Sequence, residues 1–335
     1  MRAAAIHAHG LPPTMVDRDE PVASPGQVRV RVTAAPITPL DVLCATGTSY
    51  FGVQPVPYVP GVQGVGVVAR SGTPERVWFP TTAGMRPGDG SMAQYAAVDE
   101  ADLVSLEEAG VADTTVAALG LSSVAAWMSL TWRAGLREGE QVVVLGAGGV
   151  VGQVAVQAAR LLGARRVVAA CRSSVAQERA AACGADAVVE LRDGDRAADI
   201  AERLAPALDG PADVVVDPLF GVPATAALGL LGSHGRLVNL GSSAGESAVL
   251  QSAHLRSHTA SVLGYPNNDI SRQQRARALH EVLRHAAAGD IEVSHEVVPF
   301  EESPSAWRRM ADGSAHSRPV LAVGSSGGRA ALSAP

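Results

Sequence analysis

Three glycines recur at every third position, Gly146, Gly149 and Gly152, in the segment VVVLGAGGVVGQVAVQAARLLGA, between an apolar run and an amphipathic stretch. Each has a use when a strand turns into a helix: the first allows a tight turn, the second lets the backbone approach a pyrophosphate, and the third lets the helix pack on the strand. A helix that opens at such a loop turns free N–H groups and a partial positive charge toward a bound anion. The chemistry implied is dinucleotide binding by Gly146, Ala147, Gly148, Gly149, Val150, Val151 and Gly152.

The end of the next strand discriminates between the two nicotinamide cofactors, because an acid there accepts hydrogen bonds from a ribose 2′-hydroxyl. The sequence runs VVAACRSS instead. Arg172 offers a charge-assisted fork, and Ser173 and Ser174 offer donors, to a 2′-phosphate, so NADP(H) is the expected cofactor. A surface arginine opening a helix is the plain alternative. Further turns after strands should ring the cofactor at the carboxyl edge of a sheet: Pro218 to Gly221, then Leu240, Gly241 and Ser242, then Leu263, Gly264 and Tyr265. Ordinary turn chemistry of Gly and Pro accounts for each of these equally well.

The elements that must position these loops follow from periodicity. QVRVRVT, residues 27–33, alternates as a half-buried strand, and Gly and Pro punctuate the chain to Asp89, so the first third reads as mostly β. Residues 112–134 turn helical, with Val116, Leu119, Val124, Trp127 and Leu130 on one stripe. From Gln141 to about Gly264, apolar strands QVVVL, RVVAA, AVVEL, ADVVV and GRLVNLG alternate with helices. That pattern predicts a parallel sheet covered on both faces, a doubly wound Rossmann domain. A polar helix over 271–288, strand EVVPF, helix 304–310 and strand PVLAV follow, and SSGGRAALSAP reads as a flexible tail.

Composition excludes several classes. At 335 residues the chain suits two domains. With 47% hydrophobic and 18% charged residues it has ample apolar surface to bury. Its net charge of −6, without long like-charge runs, argues against nucleic acid and for a small partner. Arg272, Arg275, Arg277 and Arg284 read as the solvated face of a helix. Cys44, Cys171 and Cys183 form neither an even framework nor a CxxC pair, which fits a reducing interior and a cytoplasmic location. No secretory leader opens the chain, and no apolar stretch of membrane-spanning length runs without charge, Gly or Pro.

In order along the chain, AAPITPLDVL, YVPGVQGVGVV, GSMAQYAAV, LGLSSVAAW, LREGEQVVVLGAGGVVG, the Gly-Ala-Asp at 184–186, VVVDPLFG, HGRLVNLG and AWRRMADGSAHSRPVLAV resemble the quinone oxidoreductase branch of the medium-chain dehydrogenase/reductase superfamily. The resemblance implies an α/β protein: a Rossmann doubly wound parallel-sheet domain, 119–265, plus a mostly β GroES-like catalytic domain, 1–118, completed by 266–325, with 326–335 as tail. It also implies a homodimer. Zinc-bearing relatives take ligands from a Cys-x-x-Asp segment and from a His-Glu pair after Pro-Gly; here Thr38 stands before Asp41, and Val62 and Gln63 follow the Pro-Gly. Thr, Val and Gln do not make a tetrahedral zinc site, and the four-cysteine structural lobe is missing, so no metal is expected. His254 and His258, four apart, lack a third ligand nearby in sequence.

Without a Lewis acid, a hydride acceptor must already be electrophilic or be activated by hydrogen bonds to its oxygen. A conjugated enone or a quinone meets that need, and the resemblance implies NADPH-dependent reduction of such compounds. The resemblance places Thr38, Asp41 and Tyr50 as catalytic candidates, with Tyr58 as competitor; a phenol donates a hydrogen bond or, when tuned, a proton. A pocket-lining aromatic is the alternative for Tyr50. Ala125, where relatives often carry Thr, and the short 68–77 connection depart from the branch, near an expected substrate cleft. Those two departures leave room for a different substrate, whereas Thr38 and Ala125 together leave open an NADPH-binding protein with reduced turnover, and a metal-free carbonyl/alcohol oxidoreductase is a third reading.

Overall fold

The computed structural model describes residues 1–70, 73–107 and 109–324; the expected tail, 326–335, lies outside them. Strand β1 (Arg2–Ala5) pairs antiparallel with β2 (Thr14–Asp17), and the alternating run at 27–33 extends as β3 (Gln27–Pro36). After helix α1 (Pro39–Thr46) come β4 (Gln63–Arg70), β5 (Thr73–Pro80), β6 (Tyr95–Asp99) and β7 (Val104–Ser105). The short 68–77 connection is thus a hairpin of β4 and β5 paired from Gln63↔Pro80 to Arg70↔Thr73, with residues 71 and 72 outside the described set.

Helix α2 (Asp113–Met128) is broken at Gly120, whose φ of 32° and ψ of −132° are not helical, and a π-helical turn, Ser129–Ala134, continues it. By length and composition Asp113–Ala134 resembles a membrane span, but 78% of its apolar window is buried inside the fold, the situation of a core helix. The doubly wound part then alternates β8 (Gln141–Leu145), α3 (Val150–Leu161), β9 (Arg166–Cys171), α4 (Ser174–Ala182), β10 (Ala187–Glu190), α5 (Ala197–Leu204), β11 (Ala212–Asp217), α6 (Gly221–Leu228), β12 (Leu231–Asn239), α7 (Ser252–His258), β13 (Ser261–Gly264) and α8 (Arg272–Ala288).

Its six strands are all parallel, in the order β10-β9-β8-β11-β12-β13. The order reverses between β8 and β11, and loops at the carboxyl ends of those two strands flank the crevice where open α/β sheets take ligands. Every residue of β8 is buried, as an apolar run covered on both faces requires. Leu145, Val168, Ile200, Leu204, Val215 and Leu237 belong to the core between sheet and helices.

The chain returns through β14 (His295–Pro299), α9 (Ser303–Ala311) and β15 (Arg318–Ala322). These strands join a seven-stranded mixed sheet, β14-β15-β3-β4-β5-β7 with β6 on β3. The two units are therefore Met1–Gly120 with the chain from Ser294 onward, and Leu121–Val293. Residues 266–293, expected with the first unit, pack with the second. Asn267 donates to the Leu121 carbonyl (3.0 Å), Gln157 exchanges hydrogen bonds with the Glu292 backbone (2.8 and 2.9 Å), and the Trp127 and His285 rings lie 5.7 Å apart. Helix α8 buries Ala278, Leu279, Val282 and Leu283, leaves Arg272, Arg277 and Arg284 exposed, and half-buries Arg275.

Candidate active site

The glycine loop joins β8 to α3 through Gly146 at φ 64°, a left-handed conformation that glycine adopts without cost. Ala147 is fully buried, and its N–H donates to the Ala170 carbonyl (3.2 Å). Gly149 caps α3 with no side-chain partner, so the first turn of the helix presents its N–H groups unblocked by a side chain. A Cβ on Gly152 would lie 2.4 Å from Ala147 Cα and 2.5 Å from the Gly146 oxygen, so close helix–strand packing demands glycine. A Cβ on Gly148 would meet Ala176 at 2.3 Å. Val150 is buried and Val151 half-buried. The loop thus has the cradle a pyrophosphate needs.

Arg172 follows β9 with 76% of its side chain exposed, and Asp193, 93% exposed, approaches it at 3.5 Å. So weak a surface pair leaves the guanidinium free to turn to a phosphate. Ser173 is the N-cap of α4, accepting from Ala176 N at 3.2 Å, so its hydroxyl oxygen is in part committed to the helix.

Pro218 opens the loop after β11; Leu240, Gly241 and Ser242 follow β12, and Leu240 N donates to the Asp217 carbonyl at 2.9 Å. Leu263 and Gly264 end β13, with Gly264 accepting from Arg133 Nε at 2.7 Å. Tyr265, expected at the cofactor, is 5% exposed; its hydroxyl donates to Asn267 Oδ1 (2.8 Å), and Trp132 packs edge-on. Burial pushes its phenol up.

Sequence reasoning missed Asp217 and Asn239. Asp217 is fully buried at the end of β11, accepting from the backbone N–H groups of Leu219 and Phe220 and from Asn239 Nδ2; burial raises its pKa against those bonds. The signal was a carboxylate and an amide closing otherwise apolar strands, VVVD and LVN.

In the first unit, Thr38 and Asp41 form a reciprocal cap at the start of α1. The Asp41 side chain accepts from Thr38 N (2.8 Å) and Thr38 Oγ1 (2.6 Å) on one oxygen, and from Gly61 N (3.1 Å) and Val62 N (2.8 Å) on the other. Both residues are buried, at 4% and 2% exposure. Burial raises the Asp41 pKa, opposed by Thr38, Val62 and the charge of Arg318. The donor expected of Thr38 is therefore committed to Asp41, and Asp41 ties α1 to the Gly61–Val62 turn. Gln63 is fully buried and accepts from Trp78 Nε1 at 3.0 Å.

Tyr50 is 79% exposed on the loop after α1, its ring tilted against Phe51 with centroids 4.2 Å apart. Tyr58 is 5% exposed, and its hydroxyl has no hydrogen-bond partner among the described residues. Burial, with Cys44 and Asp41 nearby, pushes its phenol well above the ordinary tyrosine range. Ala125 is buried in α2. His254 and His258 stack at 4.2 Å on α7, and no cluster of three His, Cys, Asp or Glu that could hold a metal occurs among the described residues.

Known proteins share this fold. Residues 24–108 match the alcohol dehydrogenase GroES-like domain, and residues 150–284 match the zinc-binding dehydrogenase domain. The quinone oxidoreductase of Thermus thermophilus, solved also with NADPH, is 30% identical with a TM-score of 0.77, over 96% of this chain and 100% of that one. The chain belongs to the medium-chain dehydrogenase/reductase superfamily, in its quinone oxidoreductase-like branch. A solved NAD-dependent alcohol dehydrogenase is 28% identical, TM-score 0.82, over 97% and 100% of the two chains. A phenolphthiocerol/phthiocerol polyketide synthase polypeptide of Mycobacterium tuberculosis is 30% identical over 92% of this chain, which spans only 14% of that protein's length. The 2-methylene-furan-3-one reductase of Solanum lycopersicum is 30% identical over 49% of this chain and 44% of its own. The matching domain family is named for zinc, but Thr38, Val62 and Gln63 do not fit a metal: they supply no thiolate, imidazole or carboxylate at the ligand positions.

Proposed function

We propose that this chain is an NADPH-dependent, zinc-independent reductase of a conjugated enone or a quinone. The observation that carries the reading is the donor set of the first unit, where Asp41 joins the segments that hold ligands in zinc relatives, and Thr38, Val62 and Gln63 stand at those positions. An acceptor reduced there must be electrophilic through its own conjugation. The named substrate of the tomato reductase is such an enone, and the Thermus relative pairs a quinone with NADPH.

When bound, the reduced nicotinamide supplies the hydride. The residues divide the remaining work. Gly146, Gly148, Gly149 and Gly152 with the α3 N-terminus hold the pyrophosphate, and Arg172 with Ser173 holds the 2′-phosphate. As charge collects on the acceptor oxygen, the exposed hydroxyl of Tyr50 donates to it; Tyr58, buried and without a hydrogen-bond partner among the described residues, is the alternative donor. Turnover of NADPH with a panel of quinones and enones, indifferent to chelators, is the expected result. Stoichiometric zinc with chelator inhibition would overturn the metal-free reading, and preference for NADH would overturn the cofactor assignment. Tight NADPH binding without turnover of any acceptor would favour a binding protein, the reading that the committed Thr38 hydroxyl supports.

The same reading includes a cytoplasmic homodimer. Strand β13 is an exposed edge of the parallel sheet, the kind of strand on which such pairing builds, and light scattering measures the mass.

A further inference from the structure

Where the parallel sheet reverses order, the loop after β11 takes a shape that its sequence alone would not hold. Phe220 has φ 53° and ψ −153°, a conformation essentially reserved for glycine. Asp217 supplies the restraint. Its Oδ1 accepts from Leu219 N at 3.0 Å and from Phe220 N at 2.8 Å, which folds the chain back on the strand end. Its Oδ2 accepts from Asn239 Nδ2 at 3.2 Å.

Asn239 carries the restraint to the next loop. The same Nδ2 donates to the Gly241 carbonyl at 2.7 Å, and its three neighbours, Asp217 Oδ2, the Asp217 carbonyl and the Gly241 carbonyl, are all acceptors. The two loops then close on each other: Ala244 N donates to the Leu219 carbonyl at 2.7 Å, and a Cβ on Gly241 would lie 2.7 Å from the Pro218 carbonyl oxygen. On its other side the first loop meets the glycine turn, where a Cβ on Gly146 would lie 3.0 Å from Leu219 Cδ2 and 3.2 Å from Pro218 Cγ.

We propose that Asp217 and Asn239 are positioning residues: together they clamp the 218–221 and 240–244 loops in the shape that receives the dinucleotide, and Asp217 holds Phe220 in its strained conformation for that purpose. The inference rests on the reading that a nicotinamide dinucleotide lies over the carboxyl edge of this sheet. Neither side chain is assigned a contact with the cofactor. Loss of either frees the loops, so the folded protein must reorder them on binding, and affinity falls by the fraction of molecules not already in the competent shape.

NADPH is titrated by fluorescence into the wild-type chain and into Asp217→Ala, Asn239→Ala, Leu204→Ala and the double variant Asp217→Ala/Phe220→Gly, with Tm recorded for each. Leu204 is fully buried in the same core but lies on α5, outside both loops and their hydrogen bonds, so its truncation controls for lost stability. Asp217→Ala should weaken NADPH binding about ten-fold or more, and Asn239→Ala by less, a ten-fold change being about 1.4 kcal/mol. Leu204→Ala should lower Tm and leave affinity unchanged. Because glycine takes the conformation at 220 freely, the double variant should recover most of the lost affinity.

No NADPH binding by the wild type would remove the underlying reading. Wild-type binding with Asp217→Ala equally tight, or with Leu204→Ala losing as much affinity, would overturn the clamp, and no recovery in the double variant would overturn the role given to Phe220. Should Asp217→Ala fail to fold, Asp217→Asn carries the same test, since its amide keeps an acceptor for Leu219 and Phe220 but opposes Asn239 Nδ2.

Discussion

Replacing Asp41 by Ala removes an acceptor shared by four donors, three of them backbone N–H groups at Thr38, Gly61 and Val62. These groups are buried, with Thr38 at 4% and Val62 at 1% exposure, so water reaches them poorly. An orphaned buried donor costs about 1–3 kcal/mol, and three of them, less relief from burying a carboxylate, give about 3–5 kcal/mol. Asn keeps an oxygen for Gly61 and Val62, leaves Thr38 N facing an amide, and should cost about 1–3 kcal/mol. At about 2–4 °C per kcal/mol for a unit of this size, Ala lowers Tm by about 6–20 °C and Asn by about 2–12 °C. The assay is calorimetry of the full chain, with kcat and KM for enone reduction measured well below the lowest Tm. If Asp41 acts by tying α1 to the Gly61–Val62 turn, loss of activity tracks loss of stability, and the pH profile of Asp41→Asn keeps its shape. An Asn variant with wild-type Tm and a hundred-fold lower kcat would refute this and make Asp41 a catalytic residue.

Arg172→Ala should weaken NADPH binding about ten-fold and leave NADH unchanged, since a charge-assisted bond to phosphate is worth about 1.5–3 kcal/mol; parallel titrations with both cofactors decide it. Tyr50→Phe should lower kcat at least about ten-fold with Tm unchanged, as an exposed hydroxyl adds nothing to packing. Tyr58→Phe should hold or raise Tm, because its hydroxyl is buried without a partner among the described residues; a drop of several degrees would show that it has one. Burial lifts Cys44 and Cys171 from 9.0 to about 11. Between those values the unfolded thiols ionise while the native ones stay protonated, so stability is full below pH 9 and falls as pH rises toward 11. Denaturation midpoints across that window check the direction, and stability that rises there would refute it.

The glycine loop was legible because its chemistry is local: strand, turn and helix lie within a dozen residues, and the packing at Gly152 involves Gly146 and Ala147. The parallel sheet was legible for a similar reason, since fully apolar strands alternating with helices have few other ways to be covered. What escaped the sequence are contacts between distant segments. Asp41 meets Gly61 and Val62 twenty and twenty-one residues away, and Asp217 meets Asn239 only because β11 and β12 are neighbours. The helical periodicity of α8 revealed its apolar face but not the unit on which that face packs, which misplaced 266–293. At Tyr265 the turn after β13 was visible, whereas the burial of its ring against Trp132 and Asn267 was not.

The positions that hold ligands in zinc relatives have a different cross-link here, and it bears on whether a metal site can be restored. Two of the three, Thr38 and Val62, are already held together through the Asp41 carboxylate, so the fold does not depend on an ion to join α1 to the turn after Pro60. The third, Gln63, is closed: its Oε1 takes the Trp78 indole N–H, and even a Cβ on Gly120 would lie 1.9 Å from that oxygen. Thr38→Cys with Val62→His therefore supplies a thiolate and an imidazole but no third ligand, and it deletes the Thr38 hydroxyl bond to Asp41. Two ligands do not make the three-ligand site that catalytic zinc requires. The double variant should be less stable than wild type, contain less than one zinc per chain by elemental analysis, and show the same Tm with and without added zinc. One tightly held zinc per chain that raises Tm would mean that Asp41 or Gln63 can turn to a metal, and that the carboxylate cross-link is a substitute rather than a barrier.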